Sequence, residues 1–214
     1  LDIQQITNLI RGHSLKTISL TVIKAGYKIP QSHYLTQEHI VYPTVIEKRL
    51  NDILYFKVSS FNKGTAISLS EKLDTAISEM GETLTGVILD LRGNHGGLLK
   101  QSVKVADLFL SQGTIISTKG RHIDSLHKYV ASGSDMTGGR PLTVLINGNS
   151  ASAAEIVAAA LQDRERAILI GTSSYGKGTI QSVLRLPNNG EITLTWSRFI
   201  APSGYILNGL GVRP

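Results

Sequence analysis

Two serines and a lysine are the side chains of this sequence whose types and spacing could perform nucleophilic chemistry. Ser150 and Ser152 stand in the stretch Asn147-Gly-Asn-Ser-Ala-Ser-Ala-Ala-Glu155, between an apolar run that predicts a buried strand and an Ala-rich segment that predicts a helix. A tight turn from strand to helix exposes a hydroxyl beside the free N–H groups of the helix start. This turn could therefore present a nucleophile to a carbonyl carbon.

Lys177 follows in the segment Ser173-Ser-Tyr-Gly-Lys-Gly178 and could act as the base for such a serine. A lysine must be neutral to accept a proton, which requires burial away from acids. The residues around Lys177 carry no acid, so the sequence permits that environment. The alternative is an ordinary surface lysine, and the local pattern leaves this choice open.

The turn at Ser152 has a second interpretation that needs no chemistry. Ser152-Ala-Ala-Glu155 fits a capping box, with serine at the N-cap of a helix and glutamate three residues later. On local pattern alone the capping role is favoured. The two roles conflict only in part, because the N–H of Ala153 could still bind an oxyanion that forms on a substrate carbonyl.

The glycine-rich segment Arg92-Gly-Asn-His-Gly-Gly97 is either a tight strand-to-helix turn or a backbone that must come close to another group. In the second interpretation the N–H of Gly96 or Gly97 supplies another oxyanion donor. His95 suggests a serine–histidine pair, but no acid is placed to orient it. The lysine alternative is favoured over the histidine.

The segment Gly171-Thr-Ser-Ser-Tyr-Gly-Lys-Gly178 resembles a phosphate-binding loop but fails as one in two respects. Gly178 occupies the position of the magnesium-binding hydroxyl, and the residues that follow alternate like a strand where such a loop must open a helix. Nucleotide binding is therefore rejected.

Composition excludes several other classes of protein. The 214 residues, 41% hydrophobic and 18% charged, suit one large domain, or one domain with a fragment of another. The absence of cysteine excludes disulfides, thiolate catalysis and cysteine-bound zinc. The net charge of +6 comes from scattered lysines and arginines, and the single tryptophan argues against base stacking. We expect a basic protein surface, with no nucleic-acid partner.

The elements that must position the candidate residues alternate between strand and helix. This order predicts βαβ units and an α/β core. The polar stretch 118–140 is expected to be a loop, such as a lid, or in part an extra strand pair. The predicted strands are 53–61, 87–91, 114–117, 142–146 and 167–171, the helices are 64–80, 98–110 and 152–163, and residues 179–186 and 191–197 form a hairpin.

The first part of the chain predicts a fragment of a smaller domain. Residues 1–12 have helical spacing and residues 18–23 alternate as a strand, which is too little to hold a core alone. Residues 27–52 show no clear period and contain two prolines, which indicates a linker with short extended pieces. The sequence shows no signal peptide and no apolar run long enough to span a membrane.

Three segments together resemble the C-terminal processing, or tail-specific, peptidases, which use a serine–lysine dyad. They are residues 86–99, 149–163 and 175–181, and the closing residues 201–204 and 209–212 are also similar to that family. The match covers roughly residue 53 to the end. His95 stands where the family commonly has a small residue or proline, and Ala154 stands where serine is common. Neither departure removes a group that the chemistry needs.

The resemblance implies a role for each candidate residue. Ser152, three residues before the glutamate, would be the nucleophile, Lys177 the base, and Gln181 the residue that positions the lysine. The N–H groups of Ala153 and of Gly96 or Gly97 would bind the oxyanion. The acid that closes the nucleophile helix, Asp163, is expected to be structural, and no metal or cofactor is required.

The resemblance also implies the architecture and the biology. We expect a mixed-sheet, crotonase/Clp-protease-like α/β peptidase core at 53–214, preceded at 1–26 by the last part of a PDZ domain. The expected activity is that of an exported serine endopeptidase, in a bacterial periplasm or envelope, that cleaves proteins near their C-terminal tails. The alternatives are a catalytically silent peptide-binding protein on the same scaffold and an acyl hydrolase of non-peptide substrates. The oligomeric state, and membrane association through other segments, stay open.

Overall fold

The computed structural model of the chain describes residues 3, 5–7, 17–36, 42–133, 135–188 and 190–214. Contacts divide the chain into two compact units, Leu1–Tyr42 and Pro43–Pro214. In the first unit β1 (Thr17–Val22) pairs antiparallel with β2 (Gln31–Thr36), which confirms the strand predicted for 18–23. Residues 3 and 5–7 are helical, and the rest of the helix predicted for 1–12 lies outside the described residues. The PDZ assignment stays a prediction.

The second unit is built on a mixed five-stranded sheet in the order β3-β4-β5-β8-β9. Strands β4, β5, β8 and β9 are parallel, and β3 is an antiparallel edge. Strand β3 lies in the stretch 27–52 that is predicted to be a linker with short extended pieces, because the charged run Glu47-Lys-Arg49 hides its period; charges of this kind are common on edge strands. The bounds are β3 Val45–Leu50, β4 Ile53–Val58, β5 Gly86–Asp90, β8 Leu142–Ile146 and β9 Ile168–Gly171.

Three helices cover this sheet and share its core. Helix α1 (Thr65–Met80) confirms the helix predicted at 64–80 and buries Ala66, Leu69, Leu73 and Ala76. Helix α2 (Leu99–Asp107) packs against both other helices. Helix α3 (Ala153–Asp163) buries every residue from 153 to 161, as expected of a helix that is apolar on all sides. These helices lie between successive parallel strands, so the predicted mixed α/β architecture is confirmed.

A second, antiparallel sheet of four strands includes the strand that begins two residues after Lys177. Its order is β10-β11-β6-β7, from β6 (Thr114–Lys119), β7 (His127–Val130), β10 (Thr179–Arg185) and β11 (Glu191–Ile200). The polar stretch 118–140, predicted to be a loop or in part an extra strand pair, contains one extra strand, β7, which pairs with β6. The predicted hairpin of β10 and β11 is confirmed, although residue 189 in its turn lies outside the described residues. Among the described helices, none combines the length and the apolar character needed to cross a bilayer.

Candidate active site

Ser152 lies between β8 and α3 in a backbone conformation that residues with a side chain rarely adopt. Its φ is 55° and its ψ is −112°, and it is only partly buried. Such a conformation costs about 1–3 kcal/mol and persists only where the surroundings enforce it. A strained serine on a turn from strand to helix is typical of a nucleophile that must project its hydroxyl from the sheet.

Ser150, the other candidate in this turn, has a structural role. Its side chain is fully buried. The hydroxyl donates to the carbonyl of Leu91 at 2.8 Å and accepts from the N–H of Asn147 at 3.0 Å. These bonds tie the turn after β8 to the end of β5, and they leave Ser152 as the serine whose hydroxyl is accessible.

Glu155 is the centre of the hydrogen-bond network beneath Ser152. It is completely buried. The capping box predicted from Ser152 to Glu155 is present, and the carboxylate accepts the Ser152 N–H at 2.7 Å. The same carboxylate accepts the Ser174 hydroxyl at 2.6 Å and the N–H groups of Gly176 at 2.5 Å and Lys177 at 2.9 Å. A buried carboxylate needs such donors to replace water.

One carboxylate oxygen of Glu155 links the backbones of Ser152 and Lys177. Both N–H groups donate to Oε2 of Glu155, so the two nitrogen atoms cannot lie farther apart than the sum of these two hydrogen-bond lengths. The Lys177 side chain itself is exposed. Within the described part of the chain, its Nζ forms no hydrogen bond, including with Ser152 Oγ. The burial that a neutral lysine calls for is therefore not present in this arrangement.

The glycine-rich loop after β5 lies directly against the serine turn. A Cβ added to Gly96 would come within 2.9 Å of Ser152 Cβ and 3.1 Å of the Ala153 nitrogen, and the φ of Gly96 is +106°. Gly97, with φ +142°, approaches so closely that an added Cβ would lie 2.3 Å from the Phe61 carbonyl oxygen. Both glycines are therefore required by close contact as well as by backbone angle.

The N–H groups of this region divide into used and free donors. Gly96 donates to Oδ1 of Asn94 at 2.8 Å, so its N–H is already occupied. The N–H groups of Gly97 and Ala153 have no acceptor among the described residues. Of the predicted glycine pair, Gly97 is thus the one with a donor to spare for an oxyanion.

Asn94 joins the two loops and is fully buried. Its amide donates to the carbonyl of Val58 at 2.9 Å, and its backbone carbonyl accepts the N–H of Ala151 at 2.9 Å. Together with the bond from Gly96, these contacts hold the glycine-rich loop between β4 and the serine turn.

Asp90, at the end of β5, anchors the start of the same loop. Its carboxylate accepts from the Arg92 guanidinium at 2.7 Å and from the Tyr55 hydroxyl at 2.7 Å, and Lys57 Nζ lies 3.4 Å away. Burial alone would raise the pKa of Asp90. The hydrogen bonds from Arg92 and Tyr55 and the charge of Lys57 outweigh burial and lower the pKa to about 2. Burial and the neighbouring Asp90 in turn raise the pKa of Tyr55.

The remaining predicted residues lie around this centre. Gln181 is exposed on β10, opposite Thr195 and beside an irregularity in the pairing of β10 with β11. Its side chain forms no hydrogen bond with any described residue. Asp163 accepts the N–H of Ser203 at 2.8 Å, which agrees with a structural role. His95 is exposed.

Two residues that organise the site are not apparent from the sequence. The pattern predicts Glu155 only as half of a capping box, and it gives no sign of the role of Asn94. A signal existed for Glu155, since an ionisable residue inside an otherwise apolar helix is rarely buried without partners. Nothing in the sequence showed that those partners stand 19 to 22 residues later. Among the described residues, no three His, Asp or Glu side chains gather around a point that could hold a metal ion.

The mixed α/β fold presents a strained serine at the start of a buried helix, which is the arrangement of a serine hydrolase. Comparison with known proteins identifies the family. Residues 52–214 match Peptidase family S41. A carboxy-terminal-processing protease of Bartonella bacilliformis is 38% identical over 213 residues, covering 99% of this chain and 49% of the relative. A carboxyl-terminal-processing protease of Synechocystis is 33% identical over 220 residues, covering 100% of this chain and 50% of the relative.

The solved structure of a photosystem II D1 C-terminal processing protease has the same fold. It superposes with a TM-score of 0.73 at 25% identity, covering 95% of this chain and 55% of that one. The chain belongs to peptidase family S41, a family of serine peptidases. It spans about half the length of the curated relatives that it matches.

Proposed function

We propose that this chain is the catalytic part of a C-terminal processing endopeptidase in which Ser152 is the nucleophile and Lys177 is the base. The observation that carries the proposal is the shared oxygen of Glu155, which binds the N–H groups of both residues. This contact joins the strained serine to the segment that carries Lys177. Membership of a serine peptidase family supports the same roles.

The reaction would proceed through an acyl-enzyme. The neutral amine of Lys177 takes the proton of the Ser152 hydroxyl, and the serine oxygen attacks the scissile carbonyl carbon. The free N–H groups of Ala153 and Gly97 donate to the oxyanion. The lysine ammonium then protonates the leaving amine, and a water molecule activated by the same amine hydrolyses the ester.

The exposed lysine must approach the serine before this can occur. Its four-carbon stem is flexible, and its backbone is already fixed beside the turn through Glu155. We propose that bound substrate covers Lys177, excludes water and favours the rotamer in which Nζ faces Ser152 Oγ. Gln181, on the strand that leaves the lysine loop, would hold that rotamer.

The substrates would be proteins cleaved near their C-terminal tails, as the names of the relatives state for those proteins. The relatives include bacterial and chloroplastic enzymes. We propose an exported enzyme of the bacterial periplasm or envelope, with residues 1–26 as the end of a PDZ domain.

Cleavage of an unstructured protein with a defined C-terminal tail tests the proposal. Mass spectrometry of the products, for wild type, Ser152→Ala, Lys177→Ala and Ser150→Ala, should show cleavage lost in the first two variants. The Ser150 variant loses two hydrogen bonds and is less stable, but it retains the nucleophile and should still cleave at a temperature where it is folded. Wild-type activity should rise with pH, because only the neutral amine accepts a proton. Full activity of Ser152→Ala would refute the mechanism.

The exposure of Lys177 favours one second candidate, a catalytically silent peptide-binding protein on the same scaffold. In that case Ser152 only caps α3. One result distinguishes the two candidates. If the protein is catalytically silent, its wild-type form and its Ser152→Ala variant bind the tail peptide equally well, and neither releases a cleavage product.

A further inference from the structure

A groove on the four-stranded sheet carries positive charge that nothing in the described chain neutralises. The cavity has a volume of about 630 Å³. We call it the basic groove; its lining includes Lys119, Arg121, Trp196, Arg198, Ile200 and Ile206. No acidic residue lines it. The three cations form no ion pair with any described residue.

Two of these cations are placed where they repel each other. Arg198 on β11 stands directly opposite Lys119 on β6. Side chains at directly opposed positions have Cβ atoms about 5 Å apart on the same face of a sheet, and like charges there are destabilising. An arrangement that weakens the sheet and has no internal counter-ion is explained if an anion from outside binds between the two side chains.

The groove begins next to the candidate catalytic lysine. Arg198 also stands opposite Thr179 across the β10–β11 pairing, and the Phe199 N–H donates to the carbonyl of Gly178 at 2.8 Å. A peptide chain that lies at Ser152 and Lys177 can therefore extend along β11 into the groove. Trp196, which lies at the irregularity in the β10–β11 pairing, and Arg198 both line the groove, so they offer an apolar surface beside a cation.

We infer that the basic groove binds a carboxylate of the substrate peptide, held by Arg198 and Lys119 with an adjacent apolar side chain against Trp196. This inference deepens the proposed function and rests on it. Arginine binds carboxylates through two parallel hydrogen bonds, which makes it suited to this role. The carboxylate is either the C-terminus of the tail or an Asp or Glu side chain near the cleaved bond.

Trp196 is the only tryptophan of the chain, so its fluorescence reports binding in the groove directly. The titration uses the Ser152→Ala variant, in which peptide cannot be cleaved. Three synthetic peptides of otherwise equal apolar sequence distinguish the sources of the carboxylate. One has a free C-terminus and no acidic residue, one is amidated and has no acidic residue, and one is amidated and contains a single glutamate.

We expect the peptide with the relevant carboxylate to bind about tenfold more tightly than the neutral peptide, which corresponds to one charge-assisted contact. Added salt should reduce this ratio. In the Ser152→Ala background, Arg198→Gln and Lys119→Gln should each remove most of it. Lys128→Gln is the matched control, since Lys128 is an exposed cation on β7 of the same sheet and does not line the groove.

The stability of the variants provides an independent readout. Because Arg198 and Lys119 repel each other, neutralising either one should leave the unfolding temperature unchanged or raise it, so lost binding cannot be attributed to lost folding. Equal affinity for all three peptides would overturn the inference, as would an unchanged ratio in Arg198→Gln and Lys119→Gln. Binding of a short single-stranded oligonucleotide, but of no peptide, would overturn it as well.

The same variants separate this inference from the proposed function. In the Ser152-containing enzyme, Arg198→Gln should raise KM for an acidic tail about tenfold and leave kcat nearly unchanged. If wild type cleaves the tail and Arg198→Gln changes nothing, only the inference that the basic groove binds a carboxylate is refuted. Carboxylate-dependent binding by a protein that never cleaves would refute the peptidase proposal alone.

Discussion

Replacing Ser152 by glycine and by alanine tests whether the turn that carries the serine is strained. The wild-type residue has φ 55° and ψ −112°. Alanine keeps this strain and loses the capping hydroxyl, at a cost of about 0.5–2 kcal/mol. Glycine loses the same hydroxyl but costs only a few tenths of a kcal/mol as an N-cap, and it releases about 1–3 kcal/mol of strain.

Glycine also adds conformational freedom to the unfolded chain, which lowers the unfolding free energy by about 0.5–1 kcal/mol. The balance places Ser152→Gly about 1 kcal/mol above wild type in unfolding free energy and about 2 kcal/mol above Ser152→Ala. For a chain of this size, each kcal/mol shifts the unfolding temperature by about 2–4 °C, so the two variants should differ by about 4–8 °C.

Urea unfolding followed by circular dichroism measures the difference. Ser78, exposed within α1, supplies the control pair. At an ordinary helical position alanine should be more stable than glycine by about 0.5–1 kcal/mol, which is the opposite order. If Ser152→Ala proves as stable as Ser152→Gly, the strain argument for the serine turn is wrong.

Three further predictions concern the groups that hold this turn. Gly97→Ala should abolish activity and lower stability strongly, since its Cβ would lie 2.3 Å from the Phe61 carbonyl oxygen, whereas Gly93→Ala, with open space around it, should cost only about 1 kcal/mol and keep activity; equal effects in thermal unfolding and cleavage assays would contradict this. Glu155→Gln replaces an acceptor by a donor facing N–H groups and should lower the unfolding free energy by about 3 kcal/mol in chemical denaturation, with activity lost; near-wild-type stability would disprove the role of the buried carboxylate. Wild type should lose about 2 kcal/mol between pH 4 and pH 2, because the pKa of Asp90 is lowered from 3.8 to about 2 and its stabilisation disappears as pH falls through that range; acid titrations of unfolding should lack this component in Asp90→Asn, and an unchanged profile would refute the assignment.

The sequence was sufficient for the elements whose pattern is local. Strand β8 runs from Leu142 to Ile146 as the apolar run indicates, and α1 runs from Thr65 to Met80 within the predicted bounds. Glycines and prolines marked most boundaries to within a few residues. β3 was less visible because an edge strand can carry charges on successive residues and therefore shows no clear alternation.

The parts of the site that depend on tertiary contact could not be predicted in this way. Two serines in one turn have nearly the same local pattern, and only the burial of Ser150 against Leu91 separates them. The N–H of Gly96 and that of Gly97 are equivalent in sequence, yet the Asn94 side chain occupies the first and leaves the second free. Such choices depend on which group reaches across from another strand.

The structure also changes how capping and catalysis relate at Ser152. From the sequence they compete for one residue. In the fold, Glu155 accepts the Ser152 N–H as a capping glutamate should, and with the same carboxylate it binds the backbone of the lysine loop. The cap therefore fixes the distance between the backbones of the two candidate catalytic residues. A cap made only by a short polar side chain could start α3 equally well, but it could not hold the Lys177 backbone beside Ser152. This requirement explains why a buried glutamate stands at position 155.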